Sequence, residues 1–461
     1  MAALLAALAV VLGAGIATVL VTGVVDLSPQ AESTPEPSAS ETPGPEPVPT
    51  VLPAAASTPM AGSVDIADAL GPALAAGALG ERVGVSVVDL DTGATAYESG
   101  PDALIPASTL KILTAAAALD VMDADHRFTT RAVEGTEPGQ IVLVGGGDPT
   151  LTADDQPAPG RTQLSVLAQA TAAALQAAGT TSVRLLVDDA LFTGPAVDPD
   201  WQSTYVRSGV VGPVSALAVD GGRQSPDTDR RSADPALAAA ADFAVMLASN
   251  GIDVSSEPGR GSAEADATVL AAARSAPLSD IVEHMLAVSD NDEAEVLARH
   301  LARAAGLPAS SEAAEQAIVQ ALAGLGIDVA GLAVLDGSGL ARGSAVRPEV
   351  LTATLGLAAG TEHPHLRAVL TGLPVAGFTG TLDDRFDSPA ATDGVGLVRA
   401  KTGTLTGVSS LAGTVVARDG TAYAFAMMAD DVSNAVAARS ALDDATAALA
   451  RCGCAVPAPS P

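Results

Sequence analysis

Hydrophobic and polar residues alternate along "RVGVSVVDLDTGATAYESG", residues 82–100, with the period of two that a half-buried strand requires. The alternation breaks at Asp91-Thr92-Gly93, a hairpin signal, so two antiparallel strands and the start of a sheet are predicted here. Pro106 can open the next element, and from Ala107 to Met122 the chain is rich in Ala and Leu with no charge except Lys111 and Asp120. A helix so apolar on every side is predicted to be buried over most of its circumference.

From about residue 128 to 275 the pattern changes. Strand-like pieces such as "QIVLVGGG" and "SVRLLVDDALF" alternate with Ala-rich helical stretches, and residues 131–275 read as an inserted accessory module. After Pro277 the pattern gives a helix, the stretch "AVSDNDEAEV", a second helix and a Gly-rich "LDGSGLARG". Near the end "GLVRAKTGTL", "GVSSLAGTVVA" and "TAYAFAMMA" read as antiparallel strands, with Arg418-Asp419-Gly420 turning between two of them, and "NAVAARSALDDATAALA" as a closing amphipathic helix. A sheet formed from the N-terminal hairpin and these C-terminal strands, with helices on its faces, makes one discontinuous domain of residues 63–130 and 276–455. No longer repeat is present; Thr-Gly-Thr-Leu occurs at 379–382 and again at 402–405, too short to mark one.

Ahead of this domain, Ala2 to Val25 carries no charge and is long enough to cross a bilayer, so residues 1–26 read as a signal peptide or membrane anchor. No Lys or Arg precedes Arg82, so the basic flank that orients such a segment is missing. Residues 27–62 are rich in Pro, Ser, Thr and Glu without a hydrophobic period and read as a disordered spacer. The expected location is outside the cytoplasmic membrane, anchored or secreted.

The net charge of −31 and pI near 4.2 leave no basic face for nucleic acid or for anionic lipid headgroups. Aromatic content of 2% removes base-stacking platforms as well. Cys452 and Cys454, in "CGC", are too few for a disulfide framework or a zinc site; in an oxidising compartment they could pair with each other, closing a short, strained ring.

Of 23 basic residues only Lys111 and Lys401 are lysine. Ser108 and Lys111 are three apart at a helix start and so share a face, with the serine at the positive end of the helix dipole. A serine nucleophile needs a base, and none of the five histidines (126, 284, 300, 363, 365) lies in a nucleophile-elbow context. Lysine serves once it loses its proton; arginine does not lose one. The apolar helix supplies desolvation that lowers an ammonium pKa, and a second cation, Lys401, would lower it further. Lys401 and Thr402 could hold a substrate carboxylate, and Gly403 would let an extended peptide lie along an edge strand. The amides of Thr404 and Ser108 could bind a developing oxyanion. For Ser289-Asp290-Asn291 the ordinary reading is helix capping, and each lysine motif alone also has an ordinary reading as a helix start or strand turn. The combination, with both lysines of the chain in ordered motifs and the third motif between them, favours catalysis.

Ser-x-x-Lys, Ser-x-Asn and Lys-Thr-Gly together resemble the triplet of class A β-lactamases and penicillin-binding proteins. "PASTLKILTAAAAL", "GGGDPTL", "SDNDEAEVLARHL", "DGSGLARG", "GFTGTLDDRF" and "VRAKTGTLTGVSSLAG" are similar to one branch, the D-alanyl-D-alanine carboxypeptidase/endopeptidases of the penicillin-binding protein 4 type. That resemblance implies an α/β (α+β) fold of the serine β-lactamase/DD-transpeptidase type with an insertion between Lys111 and Ser289. It implies Ser108 as the acylated nucleophile, Lys111 as proton acceptor, Ser289 as proton shuttle and Asn291 as a holder of the substrate backbone. Lys401 and Thr402 would bind the terminal carboxylate of D-Ala-D-Ala, with Thr404 at the oxyanion hole and Asp188, in "LLVDDALF", placed to sense the stem-peptide side chain. The partners implied are peptidoglycan stem peptides and, as covalent inhibitors, β-lactams; no cofactor or metal is implied. A serine β-lactamase and a catalytically inactive wall-binding protein of the same fold are the alternatives. The chain departs from the family in a short insertion and in Gly343, where an asparagine is expected after the arginine.

Overall fold

The computed structural model describes residues 65–452, apart from 76, 102 and 226; the apolar leader, the spacer and Cys454 lie outside the described residues. No helix among the described residues is long and apolar enough to cross a membrane.

Both ends of the described chain build one antiparallel sheet of five strands. In spatial order they are Val398–Leu405, Val408–Val416, Ala422–Asp430, Arg82–Asp89 and Thr95–Ser99. The Arg82–Ser99 hairpin turns where the Asp89 carboxylate accepts from the amides of Asp91 and Thr92, and Gly93 takes φ +71°, a left-handed conformation that glycine adopts without a Cβ clash. The strand Ala422–Asp430 shows why the sheet lies in the middle of the fold. Tyr423, Phe425, Met427 and Ala429 pack on one side, with Ile66, Leu70, Leu442 and Leu449 of the first and last helices, Ile66–Leu74 and Ala435–Arg451. Ala424, Ala426 and Met428 pack on the other, against a helical layer. Small residues on that second face let the helices approach closely.

At the centre of the helical layer is Leu110–Met122, every residue of which from Leu110 to Leu119 is buried. Leu278–Val288, Asn291–Ala304, Ser311–Gly324 and Pro348–Ala359 contribute to the same core. A second, mixed sheet of six strands spans Thr129 to Arg274, with the parallel pair Gln140–Val144 and Ser182–Asp188 inside it. Leu164–Ala177 and Pro235–Ser249 supply residues to its core. The chain leaves for this sheet and returns from it side by side: the Ser275 amide donates to the Phe128 carbonyl and the Phe128 amide to Ser275 Oγ.

Candidate active site

Ser108 sits in a single 3-10 turn, Ala107–Thr109, that leads into Leu110–Met122. Amides in such a first turn have no intrahelical acceptor, so that of Ser108 is available to a ligand. Ala107 has φ +47°, a strained conformation costing about 1–3 kcal/mol for a residue with a side chain. Two glycines clamp it there. A Cβ on Gly339 would lie 1.9 Å from the Ala107 carbonyl oxygen, and one on Gly403 would lie 2.7 Å from the Pro106 oxygen and 2.0 Å from Ser410 Oγ. Ser410 Oγ in turn donates to Pro106 O at 2.7 Å. Docking the nucleophile turn on the strand therefore itself requires glycine at 403, a reason the sequence reading did not include.

Lys111 is wholly buried, and its Nζ reaches three oxygens: Ser108 Oγ at 3.0 Å, Asn291 Oδ1 at 2.7 Å and the Ser338 carbonyl at 2.8 Å. The last two are acceptors without a hydrogen. A neutral amine has two N–H bonds and one lone pair, so the lone pair falls to the only partner with a hydrogen to give, Ser108. Burial lowers the Lys111 pKa from 10.5 to about 8 and outweighs Asp336, Glu295, Asp290 and Asp292, whose charges pull it up.

The Ser289-Asp290-Asn291 stretch divides its labour by residue. Ser289 ends the helix Leu278–Val288 in a left-handed conformation, φ 62° and ψ 38°, and its hydroxyl has no hydrogen-bond partner among the described residues. Asp290 caps the next helix by accepting from the Glu293 amide, so the ordinary reading holds for this one position. Asn291 joins Lys111 through Oδ1 and donates through Nδ2 to Val210 O at 2.8 Å. Asp292 binds the Gly212 amide at 2.6 Å and Arg231 at 2.7 Å. The segment around Val210 and Gly212 is thus fastened to the first turn of the helix Asn291–Ala304.

Lys401 lies on the edge strand Val398–Leu405, on the same face as Gly403 and therefore toward the nucleophile turn. It is wholly buried, donates to the Thr402 carbonyl at 2.9 Å and pairs with no carboxylate among the described residues. Burial first, and the Lys111 charge second, hold its pKa well below the usual lysine range. Thr402 points to the opposite face, where its hydroxyl meets that of Thr381 at 2.9 Å. The two short Thr-Gly-Thr-Leu stretches are thus joined across space. On the outer edge the Ala400 amide donates to Pro374 O, and by the two-residue period the Thr402 and Thr404 amides face that same edge.

The Asp188 carboxylate accepts from the amides of Ala190 and Ala263, which anchors its loop, and makes no hydrogen bond to the residues above. Three residues of the site were missed. Ser338 offers its carbonyl to Lys111 because its amide and that of Gly337 donate to Glu295, while Asp336 accepts from the amides of Gly339 and Ala341 and from Trp201 Nε1. Burial pushes both of these carboxyl groups up. The available signal was spacing: Glu295 is four residues after Asn291, on the same helical face.

A serine whose hydroxyl is met by a buried amine, an asparagine on that amine and a lysine on the adjacent strand, set between a sheet and a helical layer, define a serine hydrolase of the penicillin-binding protein and β-lactamase fold. The chain belongs to the D-Ala-D-Ala carboxypeptidase 3 (S13) family, which matches residues 66–233 and 226–450. It is 37% identical over 415 residues to carboxypeptidase DacB of Mycolicibacterium smegmatis, covering 88% of each chain. It is 31% identical over 423 residues to the D-alanyl-D-alanine carboxypeptidase of an Actinomadura species, covering 73% of this chain and 76% of that one. Penicillin-binding protein 4 of Haemophilus influenzae superposes with a TM-score of 0.68 at 22% identity, over 83% of this chain and 98% of that one.

Proposed function

We propose that the protein is a serine-type D-Ala-D-Ala carboxypeptidase acting on peptidoglycan stem peptides outside the cytoplasmic membrane. The observation that carries the reading is the Lys111 amine: two carbonyl acceptors claim its hydrogens and leave its lone pair for Ser108. Ser108 Oγ gives its proton to that amine and attacks the carbonyl of the D-Ala-D-Ala bond. The oxyanion meets the amides of Ser108 and Thr404, and the terminal carboxylate meets Lys401. Ser289 relays the proton now held by Lys111 to the departing D-Ala amine, the C–N bond breaks, and an ester on Ser108 remains. Water, deprotonated by the same groups in reverse, releases the shortened peptide. β-Lactams acylate the same serine. The family's penicillin-binding protein 4 has been crystallised with a β-lactam, which supports this for the chain. Tethering through residues 1–26 is part of the same proposal.

Incubation of the purified protein with a stem pentapeptide, followed by mass spectrometry, is expected to show release of one D-Ala, with no release from Ser108→Ala. A fluorescent penicillin is expected to label the wild type and not that variant. Rapid penicillin turnover without D-Ala release would instead identify a β-lactamase, and peptide binding without a covalent adduct an inactive wall-binding protein.

A further inference from the structure

The far end of the nucleophile helix carries a cluster that the peptidase reading does not use. Asp120, in the last turn of Leu110–Met122, faces His363 and His365, and one ligand atom of each lies within 4.8 Å of those of the other two. We propose that Asp120, His363 and His365 form a binding site for a divalent transition-metal ion, zinc by the chemistry of its donors.

Two imidazoles and one carboxylate are a donor set that zinc takes at about 2.0–2.2 Å, which puts neighbouring ligand atoms about 3.3 Å apart around a tetrahedral ion. His365 Nε2 and Asp120 Oδ1 are already 3.3 Å apart. The His363 ring stands edge-on to that of His365, centroids 5.7 Å apart, so small rotamer changes bring the third nitrogen in. Pro364, between the two histidines, fixes the backbone that spaces them. All three residues retain solvent exposure, which gives an ion an entry path and leaves its remaining position to water.

A separate observation points to a cation here. The C-terminal end of a helix is its negative end, yet this helix has Asp120 in the last turn, Asp123 at the cap and no basic residue in that turn. An ordinary His365–Asp120 ion pair would offset part of that charge and would not need His363. The zinc site needs both histidines, and this difference separates the two readings. The ion would lie about 14 Å along the helix from Lys111, nine residues on at 1.5 Å each, so its role is to staple the end of the nucleophile helix to the turn Pro364–Leu366.

The test uses the full chain without a histidine tag, stripped of metal and titrated with zinc in a calorimeter. One zinc per chain is expected. His363→Ala, His365→Ala and Asp120→Asn are each expected to weaken binding at least tenfold, and cobalt(II) in place of zinc to give a visible absorption band that His363→Ala abolishes. Zinc is expected to raise the melting temperature of the wild type and not of His363→Ala. Labelling by fluorescent penicillin, unchanged in all three variants, shows that each is folded. Failure of the wild type to bind one equivalent of zinc, or undiminished binding by His363→Ala, would overturn the proposal. Neither result bears on the peptidase reading, which is measured by D-Ala release.

Discussion

Lys111 and Lys401 are equally buried, and their surroundings are opposite in kind. Lys111 has three oxygen partners and four carboxylates near enough to favour its charge. Lys401 has one carbonyl partner and a neighbouring lysine, with no carboxylate among the described residues to offset its charge. Burial penalises both charges, and only Lys111 has compensation built into the protein. The difference separates two tasks that use the same side chain. A base must hold a pKa near the working pH in the resting enzyme, so its counter-charges belong to the fold. A carboxylate receptor gains its counter-charge from the substrate, so binding energy is kept for the arrival of a terminal carboxylate.

The largest effect should come from removing the titratable amine. Lys111→Arg keeps a cation but cannot accept a proton, and acylation by fluorescent penicillin is expected to fall about a thousandfold, as for loss of a general base. Labelling at the wild-type rate would break the assignment of Lys111 as proton acceptor.

Next comes Lys401→Met. It should reduce kcat/KM on an acyl-D-Ala-D-Ala substrate about a hundredfold and raise the melting temperature, because a buried polar nitrogen with a single hydrogen-bond partner is replaced by an apolar side chain. On a substrate ending in a carboxamide the same variant should lose far less. An equal loss on both substrates would show that the lysine does not read the carboxylate.

The pH profile sharpens the contrast. The kcat/KM for acylation should rise with pH as Lys111 loses its proton, inflecting near 8. Because the Glu295 charge favours the ammonium, Glu295→Gln should move that inflection to lower pH, which stopped-flow acylation would measure. The same depressed pKa fixes a sign for stability. Between about 8 and 10.5 the unfolded chain holds a proton that folded Lys111 has lost, so stability from this group rises with pH across that window. Chemical denaturation at several pH values checks it. The smallest effect is expected at Arg231→Ala, which cuts the tie to Asp292 and loosens the segment around Val210 and Gly212. KM for a stem peptide should rise a few-fold, with penicillin labelling altered less.

Local pattern carried much of this protein. The strand-like runs of 82–100 and of the last three strands, closed by turn residues, read directly as a sheet, though its central strands are buried on both faces, and the apolar run 110–119 reads as a helix buried all round. Ser108, Lys111 and Asn291 were legible because each occupies a fixed place in a short motif. Contacts between segments distant in the chain were not. Nothing in the sequence near Gly403 tells that the Pro106 carbonyl rests on it, nor that Thr402 meets Thr381. The resemblance set Asp188 beside the stem peptide, and no local pattern foretold that the Ala190 and Ala263 amides hold its carboxylate.

The sequence by itself determined the secondary elements and which side chains could do the chemistry, since both follow from spacing along the chain and from functional groups. The tertiary structure alone decided where the Lys111 lone pair points, because that depends on Ser338, 227 residues away, presenting a carbonyl. A pKa or a hydrogen bond belongs to a surrounding, and the surrounding exists only once segments with no local relation have packed together.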